Sequence, residues 1–198
     1  MTKLRLRGNF KYINTTIPHL RYSYKFGKEK KAMKTEDPHN LQRFVSAQED
    51  NYDTAIQELR RGRKKSHWIW YVFPQVAGLG YSSMAQYYAI GSRNEALEYL
   101  HHPILNQRLL DCCEALLAHR DSAIIDIMGS PDDMKLRSSM TLFASVSSQP
   151  APFQSVLDTF YGGQNDNKTL EFLTPTSQTE WRNRTSRSRR RRGIHLIK

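Results

Sequence analysis

Residues 103–120 read PILNQRLLDCCEALLAHR, and their apolar spacing decides the fold. Leu105, Leu109, Cys113, Leu116 and Leu117 recur at intervals that place them on one stripe of an α-helix and on no single face of a strand. Pro103 opens the stretch, where its missing N–H is harmless because the first turn leaves that donor unpaired anyway. His119 and Arg120 close it with cations suited to the negative end of the helix dipole.

Working outward, the same period returns on both sides. Ser92 to Glu95 forms a capping-box pattern before Ala96, Leu97 and Leu100. Asp37 followed by Pro38 reads as a helix start, a carboxylate cap and a first-turn proline. Beyond it Leu41, Phe44, Val45, Tyr52, Ala55, Ile56 and Leu59 share a face, as one long helix or two short ones ending near Gly62. Towards the C-terminus, Ser130, Pro131, Asp132 and Asp133 supply a hydroxyl cap, a first-turn proline and two capping acids ahead of Leu136, Met140 and Phe143. Phe153, Val156, Leu157 and Phe160 continue the pattern until Gly162 and Gly163 stop it, and a short helix fits 167–173. Two runs also suit strands, 68–73 and 123–128, but neither has a hairpin partner or a βαβ context. The expected fold is therefore all-α, an irregular multihelical array in a single domain over residues 37–174. Its core should include Leu41, Phe44, Leu109, Cys113, Leu116, Met140 and Phe143.

The chain of 198 residues is 38% apolar, enough for one modest core. Its net charge of +11 is unevenly placed. Residues 1–36 carry ten Lys/Arg and two acids, residues 37–174 twelve and sixteen, and residues 175–198 eight and one. The domain itself is thus mildly acidic, which argues against a basic duplex-binding face; nucleic acid would be met through the tails if at all. Both tails are expected to be disordered. The N-terminal one is basic, with weak amphipathic character for an organelle presequence, and a product starting at Met33 would keep the whole core. In the C-terminal one the run Arg189 to Arg192 follows Arg182, Arg184 and Arg187, a pattern of nuclear addresses, nucleic-acid arms and plain solvated tails alike. Inside the domain, Arg60, Arg61, Arg63, Lys64 and Lys65 read first as compensation of a helix C-terminus and second as a phosphate site.

The two cysteines, Cys112 and Cys113, are adjacent and cannot crosslink distant segments, so they read as core filler in a reducing compartment. No run nears the ~20 apolar residues of a membrane span, and residues 1–32 lack a secretory apolar block. The expected location is intracellular, in the cytoplasm or, by the Arg-rich tail, the nucleus. Without a secretory route the N-x-T triplets at Asn14, Asn167 and Asn183 carry no message.

Phosphate-loop, dinucleotide, zinc-protease and nucleophile-elbow signatures are all missing. His101 and His102 are neighbours before a proline and read as solvated loop residues, so no metal site is expected. Residues 66–75, SHWIWYVFPQ, stand out. Trp and Tyr carry polar tips that must find partners, so this is a demanding way merely to fill a core. Alongside the core reading stands a pocket wall, with Trp68 or Trp70 stacking on a planar ligand while His67 and Gln75 hydrogen-bond it. Lys135, Ser138 and Ser139 lie on one helix whose Leu136, Met140 and Phe143 should face inward, and these two groups are expected to converge on one concave site. Lys135 would offer a compact charge to a phosphate or carboxylate. The local alternative for the hydroxyls is a bond to the preceding helical turn.

The stretches DPHNLQRFVSAQE from Asp37, SHWIWYVFPQVAGLG from Ser66, YAI from Tyr88, HP at His102 and GSPDDMKLRSSMTLF from Gly129 closely resemble the domain of unknown function 1810 family. The resemblance spans nearly all of residues 37–173 and implies an irregular all-α array without a sheet. It implies no activity and no cofactor. Some relatives carry the label calpastatin, a protease inhibitor, but such inhibitors fold from disordered repeats on their target, whereas this chain has one patterned domain and no repeat. Three classes of function remain. The first is a small-molecule or nucleotide-like ligand binder, with catalysis optional. The others are a protein-interaction module using an aromatic patch and nucleic-acid association through the basic tails. No residue pattern specifies an oligomeric state.

Overall fold

The computed structural model describes residues 37–174; both basic tails, and the expectations placed on them, lie outside the described residues. Among the described residues there are nine helices and one isolated parallel bridge, Val76 to Ile90, but no strand. The helices are α1 (Gln42–Arg60), α2 (Ile69–Val72), α3 (Ser83–Tyr87), α4 (Arg93–His101), α5 (Pro103–Leu117), α6 (Ile124–Met128), α7 (Asp132–Val146), α8 (Ala151–Tyr161) and α9 (Asn167–Leu173). The two runs that also suited strands are the short helices α2 and α6, with no partner to pair a strand.

α7 is the central element, packed against α8, α4, α9, α6 and α2. Leu136, Met140, Leu142, Phe143 and Val146 are buried on it, and so are Ser138, Ser139 and Thr141. Three hydroxyls of this enclosed helix are satisfied within it. Ser138 Oγ donates to Met134 O (3.1 Å), Thr141 Oγ1 to Arg137 O (2.9 Å) and Ser145 Oγ to Thr141 O (2.7 Å). A file of rings ties the helices together: Phe44 to Tyr99 (5.2 Å), Tyr99 to Phe143 (5.2 Å) and Phe143 to Phe153 (5.7 Å). These separations are those of favourable tilted and edge-to-face pairs. All seven predicted core residues are buried. Burial pushes the Cys113 thiol up to about 12 and the Cys112 thiol well above its usual value, so both pack as small apolar groups.

Several caps differ from expectation. The helix announced at Asp37 begins only at Gln42, because the Asp37 carboxylate accepts the N–H groups of Leu41 and Gln42 across a turn. Ser92 Oγ accepts from Glu95 N, but Glu95 reaches back to Gly91 N, and its other oxygen pairs with Arg43. His102 is half-buried and is no solvated loop residue: its Nδ1 accepts from Leu105 N (3.4 Å), capping α5. At α7 neither Ser130 nor the two acids cap the helix; Pro131 holds the cap position without a side-chain bond. Asp132 is engaged elsewhere, as described next.

Candidate functional site

The segment that stood out in the sequence enters the fold as a short linker, 61–68, running into α2. Gly62 makes the turn after α1 at φ +65°, a conformation that a side chain would strain, and His119 lies 3.0 Å from where a Cβ would sit. The main-chain N–H of Lys64 then reaches Ile127 O (2.7 Å), anchoring the linker to α6.

Glu58, on the last turns of α1, organises this linker. Its carboxylate accepts from Lys65 N (2.8 Å), Ser66 N (3.0 and 3.1 Å), Ser66 Oγ (2.5 Å) and Trp68 Nε1 (2.8 Å). Burial pushes the Glu58 carboxyl up, but these donors outweigh it and hold the group at about 2. The buried indole of Trp68 thereby has its polar tip satisfied.

On the other side of Trp68 stands Lys64, whose Nζ lies 4.9 Å from the ring centroid, donates to Ser66 O (2.6 Å) and pairs with Asp132 Oδ2 (2.6 Å). Asp132 Oδ1 in turn accepts from Lys135 Nζ (2.7 Å), which sits 5.0 Å over the half-buried ring of Trp70. Two ammonium groups therefore share one carboxylate between two indoles. Burial pushes the Asp132 carboxyl up, but hydrogen bonds from Lys135 and Lys64 more than offset it and leave the group below its ordinary value. The Lys64 side chain is 6% exposed and that of Lys135 23%, so Lys135 is the cation that a ligand can reach.

Of the residues singled out in the sequence, Trp68, Trp70 and Lys135 are brought into one constellation. Ser138 is buried with its hydroxyl on Met134 O, and Ser139 is buried with a hydroxyl that meets no partner. Gln75 is half-buried and engages through its main-chain oxygen, which accepts from Ile90 N (2.8 Å). His67 is exposed. Sequence reasoning missed Glu58, Lys64 and Asp132. Glu58 left one trace: it lies three residues from Ala55, on the apolar face of α1. Asp132 was hidden behind its local reading as a cap.

Two concavities lie near the domain surface. One, of about 260 Å³, is lined by Thr54, Gln57, Glu58, Arg61, Arg63 and Lys65. The other, of about 380 Å³, opens among α4, α5, α7 and α8 beside Leu97, Leu110 and Phe153. No cluster of three or more His, Cys, Asp or Glu able to hold a metal ion occurs among the described residues, and no helix there is long and apolar enough to cross a membrane.

This helical array, with its paired indoles and shared carboxylate, belongs to a family of proteins of unknown function, DUF1810, which matches residues 38–173. The crystal structure of the conserved hypothetical protein Rv1873 from Mycobacterium tuberculosis is similar, with 45% sequence identity and a TM-score of 0.68. That similarity covers 69% of this chain and 98% of the mycobacterial one. No protein of curated function matches the chain.

Proposed function

We propose that the domain binds a small ligand that combines a planar ring with a negative charge, nucleotide-like in character, at the Trp70–Lys135 face. The observation that carries this reading is the sharing of Asp132 by two lysines. One carboxylate neutralises one ammonium, so the pair retains a surplus positive charge, and the more exposed cation, Lys135, is held over an indole. An incoming phosphate or carboxylate draws Lys135 outward while Lys64 continues to neutralise Asp132. The ligand's ring then takes the indole face that the lysine covered. His67, exposed next to Trp68 in the chain, and Gln75, at the end of the same segment, are the candidates to hydrogen-bond such a ring.

The test is a thermal-shift screen of the full chain against nucleoside monophosphates and aromatic carboxylates, repeated with Lys135→Ala. A rise in Tm that is lost in the variant supports the reading. A ligand that stabilises both proteins equally contradicts it.

One observation favours a second reading, an interaction module. α3 has no buried residue, and Tyr81, Met84 and Tyr87 around it are exposed at 88%, 37% and 57%. Exposed tyrosines of this kind are favoured anchors at protein interfaces. Pull-down with Tyr81→Ser/Tyr87→Ser as the control separates this reading from the first.

A further inference from the structure

The basic stretch begins with Arg60 in the last turn of α1, where a cation suits the helix dipole, but none of its side chains caps the carbonyls there. The carbonyls of Gln57, Glu58 and Leu59 accept from the main-chain N–H groups of Arg61, Arg63 and Gly62, and Arg60 O meets His119 Nε2 (3.1 Å). Lys64 is turned inward to Asp132. The side chains of Arg61, Arg63 and Lys65 make no hydrogen bond or ion pair among the described residues, yet all three line the concavity of about 260 Å³, on whose wall Thr54 and Gln57 add a hydroxyl and an amide.

Glu58 is the one acid among the residues lining that concavity, and its oxygens are already occupied. Oε1 accepts from Ser66 N and Ser66 Oγ, and Oε2 from Lys65 N, Ser66 N and Trp68 Nε1. It forms no ion pair with the three cations, so the lining carries a net surplus of positive charge. The tight turn at Gly62 and the inward turn of Lys64 leave Arg61, Arg63 and Lys65 together on this lining.

We propose that this concavity is an oxyanion site that takes a phosphate or pyrophosphate group. Two guanidinium groups offer paired donors that match phosphate oxygens, and Lys65 adds a point charge. Size sets the ligand class: whole small molecules occupy pockets of roughly 300–1,000 Å³, so a cavity slightly smaller holds the charged group while the rest of its carrier lies outside. The site is distinct from the Trp70–Lys135 face, because neither Trp70, Asp132, Lys64 nor Lys135 is among the residues that line it.

The experiment is calorimetric titration of the full chain with inorganic pyrophosphate, alongside three variants. Arg61→Gln/Arg63→Gln/Lys65→Gln removes the site, Arg189→Gln/Arg190→Gln/Arg191→Gln/Arg192→Gln removes the densest tail charge, and Lys135→Ala removes the other cation. The expected result is saturable binding that weakens by about tenfold or more in the first variant and changes by less than about twofold in the other two. Far-UV circular dichroism checks that the first variant is folded, as exposed substitutions should leave it. If that variant misfolds, Arg63→Gln alone is expected to weaken binding by about threefold or more, and an unchanged affinity overturns the site. Binding that survives the triple substitution overturns the proposal, as does binding abolished by the tail variant. Loss confined to Lys135→Ala overturns it too, and would leave the Trp70–Lys135 reading standing.

Discussion

Two aromatic stretches of this chain, SHWIWYVF at 66–73 and YSSMAQYY at 81–88, look alike on paper and are opposites in the fold. In the first, Trp68, Tyr71 and Phe73 are buried; in the second, Tyr81 is 88% exposed and α3 buries nothing. The two stretches are tied into the fold in different ways. Trp68 finds Glu58 for its N–H, and the linker before it is tied to α6. The second stretch is held at its ends. Ile90 bonds to Gln75 O and Ala77 N on one side, while Arg43 donates to Tyr87 O (3.0 Å) and Ala89 O (3.1 Å) on the other. Tyr88, at the end of the stretch, packs on Phe44 (5.8 Å) and Tyr71 (5.3 Å), while nearer its start the chain folds on itself: a Cβ at Gly80 would fall 2.4 Å from that of Ala85. Aromatic content therefore does not foretell burial. What burial of an indole does require is a partner for its polar tip, as Glu58 provides for Trp68.

The sharpest way to break this comparison is truncation. Trp68→Ala should destabilise the domain by about 3–5 kcal/mol in urea unfolding, because it empties a packed site and strands a donor-organised carboxylate. Removing the partner instead of the ring is next in size. Glu58→Gln substitutes an amide for an acceptor that serves two main-chain N–H groups, a hydroxyl and an indole, and a loss of about 1–3 kcal/mol is expected.

The same carboxylate predicts a pH dependence. Its folded value of about 2 lies below the ordinary 4.5, so the unfolded chain takes up the proton first as pH falls. The stabilisation is fully present above about 4.5 and is lost progressively as pH falls towards 2. Urea midpoints measured between neutrality and pH 3 should fall in the parent and fall less steeply in Glu58→Gln; parallel curves would assign the acid sensitivity to another group. Smallest of all, Tyr81→Ala should move stability by no more than about 0.5 kcal/mol. A loss comparable with that of Trp68→Ala would mean that the second stretch is packed after all.

Helix positions were largely legible because they follow from local rules. The stripe from Leu105 to Leu117, the Gly162 stop and the 167–173 helix all reappear in the fold, Gly162 as a left-handed cap at φ 60°. Local rules also misled where a side chain had a better distant partner. Asp132 sits where a cap is expected, yet the ammonium groups of Lys64 and Lys135 bind it more strongly than main-chain N–H groups do. Lys135 and Trp70 were both legible as candidates, but their meeting depends on α2 packing against α7, which no spacing along the chain encodes.

The central claim is that the buried aromatic segment presents Trp70, and not Trp68, to a ligand beside Lys135. Indole N–H signals in proton–nitrogen NMR spectra test it most directly, because the chain contains three tryptophans, Trp68, Trp70 and Trp181, each giving its own peak. On titration with adenosine monophosphate the account predicts a saturable shift of the Trp70 peak, abolished by Lys135→Ala, with the Trp68 peak moving far less because Glu58 holds its N–H. An immobile Trp70 peak, or a shift confined to Trp181, would contradict it.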